Sequence, residues 1–134
     1  MMSNELYVSL ETAKLLKQTG FDWSSFAYYD ANNILCISDV LITKESSDLT
    51  EYINCLAPTL DVAQKWLREN LKIYVTIDYF PDEWKEEGYP FFEWKIRSKK
   101  LGKYGNITGH ANTYEQALEN GIQRALINYL QGML

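Results

Sequence analysis

Residues with catalytic side chains are scarce in this sequence. His110 is the only histidine, which excludes any site that needs two imidazoles and leaves a hydrolytic triad with one available base. Its neighbours Gly109 and Ala111 indicate a loop just before the last helix. We therefore interpret His110 as a surface residue at the entry to that helix, and the sequence predicts no catalytic residue.

Two segments have the composition of ligand-binding motifs without their spacing. Residues 102–109 contain three glycines but lack both the Gly-Lys-Ser/Thr ending of a phosphate-binding loop and the GxGxxG spacing of a dinucleotide site, so we interpret them as turns. Four carboxylates fall within one predicted turn without the spacing of an EF-hand: Asp82, Glu83, Glu86 and Glu87. A solvated loop explains them, and we predict neither a cofactor nor a metal.

The two cysteines, Cys36 and Cys55, match neither a zinc-ligand pattern nor a CxxC redox motif. Cys36 lies in an apolar run, and Cys55 lies between Asn54 and Leu56. We predict that both are reduced, buried thiols.

The candidate binding residues lie on one face of a predicted sheet. Residues 72–80 and 91–98 alternate between apolar and polar side chains, which is typical of two half-buried, antiparallel strands. The aliphatic face should meet the helices, and the opposite face is then open. The predicted site comprises Tyr74, Phe91, Lys95, Arg97, Lys99, Lys100 and Lys103.

Aromatic rings beside cations on a sheet can stack with bases and pair with phosphates, as in proteins that bind single-stranded nucleic acid. A competing interpretation is structural. Asp78 and Glu93 share the same face, so ion pairs across the strands could neutralise Lys95 and Arg97, and the aromatic signature of an RRM is absent.

Three amphipathic helices should cover the sheet. The first spans 10–19, with Ser9 as N-cap and Gly20 ending it; the second starts near Pro58 or Thr59. The last starts at 114 after a cap at Asn112 or Thr113, and Gly121 on its apolar stripe predicts close approach to the sheet.

Four further segments complete the predicted architecture. Residues 26–31 and 34–41 form a hairpin, 43–49 a loop, 52–56 an extended piece, and 106–108 an edge strand. The predicted fold is a single α+β domain, 1–134, with two layers: an antiparallel sheet and three helices mainly on one face, in the order α-β-β-(β)-α-β-β-(β)-α.

Composition limits the function classes. The net charge is −5, and residues 1–60 hold eight acidic and three basic residues, which disfavours a general nucleic-acid binder because phosphates repel such a surface. No apolar stretch reaches the length of a membrane helix, and residues 1–5 do not begin a signal peptide. We expect a cytoplasmic protein without membrane contact.

Three blocks, residues 6–16, 56–69 and 114–122, resemble a group of uncharacterised small proteins of phages, prophages and mobile elements of gut bacteria. The blocks mark the first, second and last helices in order. The resemblance implies a bacterial mobile-element origin, and no site residue follows from it.

Three functions remain open from the sequence. The first is a non-enzymatic accessory or protein-interaction domain that binds a host or phage protein. The alternative is single-stranded nucleic-acid binding through the aromatic and basic sheet face, and the third is a small enzyme that uses carboxylates or a cysteine in a cleft. Apolar residues at 129–134 must either pack on the domain itself or contact a second subunit, so we expect a monomer or a weak homodimer.

Overall fold

The computed structural model describes residues 6–81 and 91–134. Its helices in these ranges are α1 (Leu10–Thr19), α2 (Lys44–Asp48), α3 (Leu60–Trp66) and α4 (Tyr114–Leu130). Its strands are β1 (Ser25–Asp30), β2 (Leu35–Ile42), β3 (Ile53–Leu56), β4 (Tyr74–Phe80), β5 (Phe91–Arg97) and β6 (Ile107–Ala111). All strand pairs are antiparallel, and the predicted α+β class is confirmed.

The strands form two sheets instead of the single sheet that the sequence predicted. The first sheet has the order β2-β1-β3 and the second the order β4-β5-β6. In each sheet the central strand already pairs on both sides, and α3 separates β3 from β4 along the chain. Alternation predicts which face a side chain takes, but it does not identify the strand with which the backbone pairs.

Helix α1 has both of the predicted ends. The Ser9 hydroxyl accepts a hydrogen bond from the Thr12 N–H, and Gly20 adopts a left-handed conformation with φ of 98°. The Phe21 N–H donates to the Leu16 carbonyl at 2.9 Å, and the Gly20 N–H donates to that of Lys17 at 3.2 Å. Together these bonds form a Schellman motif, which confirms the boundary predicted at Gly20.

The predicted loop at residues 43–49 is wrong, because these residues include the short helix α2. The Thr43 hydroxyl accepts from the Ser46 N–H at 3.1 Å and caps the helix. Lys44 and Asp48 form an ion pair at 2.7 Å, four residues apart on the same side of the helix. These local interactions stabilise a polar helix that has no apolar stripe in the sequence.

Helix α3 begins as predicted, with Thr59 as its N-cap. Beyond Trp66 the helix continues as a π-helical turn, Leu67–Leu71, which ends at Lys72 in a left-handed conformation with φ of 56°. Strand β4 therefore starts at Tyr74, two residues later than the predicted start of 72.

The first hairpin is confirmed. Asn33 has φ of 65° in the tight turn between β1 and β2, and the Asp30 carboxylate accepts from the Asn32 and Ile34 backbone N–H groups. The extended piece predicted at 52–56 is β3, which pairs with the other side of β1. Tyr52, just before β3, packs against Tyr28 of β1, with ring centroids 6.3 Å apart.

Helix α4 packs across all three strands of the second sheet and also contacts α1 and α3. Thr113 caps it by accepting from the Gln116 N–H at 3.1 Å. The predicted close approach at Gly121 is confirmed, because a Cβ there would lie 2.8 Å from Val75 Cγ1 and 3.1 Å from Trp94 Cβ. Buried side chains from both sheets join the helices in one apolar cluster.

His110 lies in β6 and not in a loop, so its predicted setting is wrong. Glycines usually favour turns, but Gly109 sits in this edge strand because the Trp94 ring occupies the space where a Cβ would lie, 2.2 Å from Cζ2. The edge strand predicted around 106–108 is thereby confirmed and extends to Ala111.

No helix within the described ranges has both the length and the apolar character needed to span a bilayer.

Candidate functional site

The open face of the second sheet brings together four of the seven residues predicted for the site. Tyr74 pairs with Arg97, and Lys95 and Phe91 follow at alternate positions along β5. The opposite face carries the side chains that meet α4, including buried Val75, Trp94 and Ile96. The alternation predicted for both strands is therefore confirmed.

The charge of Lys95 is balanced on this face. Its Nζ lies 4.0 Å from Asp78 Oδ2 and 3.9 Å from Glu93 Oε1, and its side chain is only 24% exposed. Asp78 and Glu93 are direct cross-strand partners, so the ammonium group relieves a repulsion between two carboxylates. The structural interpretation of Lys95 offered by the sequence is thus the one that the geometry supports.

The three lysines after β5 do not continue the strip along one face. Lys99 and Lys100 lie in a 3-10 turn, Lys99–Leu101. The Lys100 ammonium donates to the carbonyl of Gly132, just after α4, and therefore reaches toward the helical layer. Lys103 Nζ lies 5.4 Å from the ring centroid of Tyr104, in the turn before β6.

An aromatic cluster occupies one end of the open face. The Phe91 ring stacks on Phe80 with centroids 4.9 Å apart and lies 5.1 Å from the His110 ring. Phe91 was predicted for the site from the sequence, whereas His110 was not, because the neighbouring glycines indicated a turn. The register would have identified it, because His110 pairs with Glu93.

The first sheet carries a second candidate binding surface, which was not predicted from the sequence. We call it the β2 patch; it consists of Phe26, Val40 and Leu41, which are 50%, 67% and 53% exposed. Phe26 lies between the pairs Ser25–Ile42 and Ala27–Ile37 and therefore faces the bulged segment 38–41, which carries Val40 and Leu41. Ile37 is also exposed, but it pairs with Ala27 and so lies on the other face of the sheet. Isolated exposed apolar residues are ordinary, whereas a contiguous group marks an interaction surface.

Strand β2 is an edge of its sheet, since β1 is its partner on one side and no described strand pairs with the other. The bulge and Asp39 within it obstruct pairing with a flat second edge. Contact with the β2 patch would therefore use its side chains more than its backbone.

Acidic residues predominate in the segment that carries the β2 patch. Residues 26–56 contain Asp30, Asp39, Glu45, Asp48 and Glu51 but Lys44 as their one basic residue. Lys44 is already paired with Asp48, where the ion pair lowers the pKa of the carboxyl group and raises that of the amine. This segment therefore carries a net negative charge at neutral pH.

A cleft of about 600 Å³ lies where the N-terminal turns of α1 and α4 meet, and three carboxylates line it: Glu11, Glu115 and Glu119. Two of them have structural partners. Glu119 Oε1 accepts from the Ser9 N–H at 2.5 Å, and Glu11 Oε2 accepts from the Gln123 amide at 3.0 Å. These bonds tie α1 to α4, and Glu119 Oε2 is buried without a hydrogen-bond partner among the described residues.

The thiols differ from each other. Cys55 is buried as predicted, and burial raises the pKa of its thiol, which disfavours the reactive thiolate. Cys36 is only half-buried, so its predicted burial is wrong; it lies on the edge strand β2, 3.7 Å from Asp30 Oδ2. Neither thiol has a neighbouring imidazole base among the hydrogen bonds of the described residues.

The carboxylates at 82, 83, 86 and 87 lie outside the described residues. Within 6–81 and 91–134, no group of three or more metal-ligating side chains converges.

Comparison with known proteins gives no relative: no protein-family model, curated protein or solved structure matches this chain.

Proposed function

We propose that this chain is a non-enzymatic protein-interaction domain, and that it binds its partner through the β2 patch. The observation that carries the proposal is the group of three exposed apolar side chains formed by Val40 and Leu41 on the bulged edge strand β2 and Phe26 on its partner β1. Burying side chains of this size against a partner contributes free energy in proportion to the apolar area removed from water. A folded domain gains nothing from leaving them exposed.

The charge of the segment that carries the patch indicates which kind of partner surface would fit it. Five acidic residues and one paired lysine in residues 26–56 favour a surface that combines apolar side chains with Lys or Arg at its rim. A second copy of the chain would bring the same negative charge. We therefore favour a different protein, and the resemblance of three helical blocks to mobile-element proteins supports a host or phage protein as that partner.

The nucleic-acid alternative has less support. Lys95 is held between two carboxylates, and Lys100 is directed away from the open face. Neither cation is then available to a phosphate on that face without breaking an existing interaction.

The test is comparative capture. The immobilised chain, its Val40→Asp variant and a Tyr104→Asp variant are each exposed to lysate of the producing cell, and a captured protein is then purified and its Kd measured with each. Tyr104 is the matched control because it is an exposed apolar residue, 83% accessible, remote in sequence from β2.

We expect Val40→Asp to weaken the purified complex about 30-fold, the scale of a hot-spot residue, and Tyr104→Asp to leave it unchanged. Equal binding by wild type and Val40→Asp, or the absence of any partner that survives purification, would refute the proposal.

A further inference from the structure

A small cavity between β6 and α4 gathers hydrogen-bond donors without an acid. It has a volume of about 280 Å³ and is lined by Trp94, Gly109, His110, Asn120, Gln123, Arg124 and Ile127. No carboxylate belongs to this lining among the described residues. The cavity is separate from the β2 patch on the first sheet.

Trp94 provides the first argument for a ligand. The residue is 9% exposed, and its indole N–H takes part in none of the hydrogen bonds among the described residues. The nitrogen itself is not among the buried, unpartnered side-chain atoms of the described residues, so it remains accessible to solvent where Trp94 lines the cavity. An acceptor that enters the cavity can take the place of water at this donor.

Gly109 gives the indole edge access to the cavity. A Cβ at this position would lie 2.2 Å from Trp94 Cζ2 and 2.8 Å from Nε1, so a side chain there would overlap the indole ring and displace its N–H from the cavity. Glycine within a strand is typical of places where a ligand or another group approaches the backbone closely.

Arg124 provides the charge. It is exposed on α4, one turn after Asn120, and it forms no ion pair with a described carboxylate. The Asn120 Oδ1 accepts from the Gln116 amide at 2.7 Å, which leaves the Asn120 NH₂ group as a donor. The Gln123 amide is already engaged by Glu11, so it contributes less.

From this arrangement we propose that the cavity binds an oxyanion, a carboxylate or phosphate group of a small molecule. The Arg124 guanidinium pairs with the anion, the Trp94 N–H donates to one oxygen, and Asn120 donates to another. Arginine suits such a group because its planar donors match the oxygens of carboxylate and phosphate.

The experiment follows the indole N–H resonance of Trp94 by ¹⁵N–¹H NMR, assigned with Trp94→Phe. The protein is titrated with sodium phosphate and, separately, with sodium acetate, while sodium chloride keeps the ionic strength constant. We expect a saturable shift of the Trp94 resonance with one of the two salts, and that salt identifies phosphate or carboxylate as the ligand group.

Two arginine variants complete the test. Arg124→Gln should weaken the affinity about tenfold, whereas Arg68→Gln, which removes an exposed arginine from the π-helical turn after α3, should not change it. The proposal is overturned if neither salt gives a saturable shift, or if Arg124→Gln responds like the wild type.

Discussion

Single residues decide how closely α4 and the second sheet approach. Trp94 lies between two glycines, with Gly109 against its ring and Gly121 against its Cβ. A side chain at either glycine would overlap atoms of the buried strand layer. The sequence predicted close packing from Gly121 alone, because a glycine on an apolar helical stripe otherwise lowers helix stability. It gave no indication that the same tryptophan also requires Gly109.

Gly121→Ala tests this packing. Alanine favours the helix by about 1 kcal/mol, but overpacking typically costs about 1–3 kcal/mol, so we expect a net loss near 1 kcal/mol in the free energy of unfolding. Urea denaturation measures it. In the double variant with Val75→Ala, the Cγ1 atom that the new methyl group would contact is absent. The double variant should therefore lose less stability than the sum of the losses of the two single variants. A more stable Gly121→Ala single variant would contradict the close approach.

The two thiols should react at different rates. Cys36 is half-buried and Cys55 is buried with a raised pKa, so iodoacetamide should modify Cys36 first and Cys55 only as the chain unfolds. Mass spectrometry after timed alkylation identifies the site. Fast modification in a Cys36→Ser variant would show that Cys55 is accessible after all.

The same burial predicts a dependence of stability on pH. The native Cys55 thiol stays neutral where the unfolded thiol ionises, so its contribution is complete below the ordinary pKa of 9.0 and is lost as the pH rises above it. We expect the free energy of unfolding to fall across this range and to fall less in Cys55→Ala. An equal fall in both proteins would exclude Cys55 as a cause.

At the scale of helices and strands, most elements were predictable because their signals are local. The caps at Ser9, Thr59 and Thr113 fixed three helix starts, and Gly20 fixed one end. Alternation fixed β4 and β5. Helix α2 was missed because its stabilising contacts, the Thr43 cap and the Lys44–Asp48 pair, are also common in polar loops.

The Thr113 cap has a measurable effect on α4. Thr113→Ala removes the acceptor for the Gln116 N–H and should lower the free energy of unfolding by about 1 kcal/mol. Thr113→Ser retains the hydroxyl and should stay close to wild type. Equal loss in both variants, measured by urea denaturation, would show that the methyl group and not the cap matters.

For the whole molecule, the sequence predicted the class but not the division into two sheets, since strand partners depend on long-range contacts that local patterns do not encode. The candidate site, too, was predictable only in part. The face shared by Tyr74, Phe91, Lys95 and Arg97 followed from alternation, and the neutralising acids Asp78 and Glu93 were foreseen. The β2 patch was not, because an apolar strand in sequence looks the same whether its side chains are buried or exposed.

Net negative charge in the segment that carries the β2 patch should oppose self-association. We expect sedimentation velocity to find a monomer at low salt, with any dimer increasing as salt screens the repulsion. A dimer that weakens with salt would contradict this account, and one that disappears on deletion of residues 131–134 would place the contact at the C-terminus.

The most direct measurement of the central claim is amide hydrogen exchange of the chain with and without its purified partner. The account predicts that slowed exchange appears in β1 and β2, around Phe26 and residues 38–41, while β4 and β5 keep their free-state rates. Protection confined to the open face of the second sheet, with β2 unchanged, would contradict it.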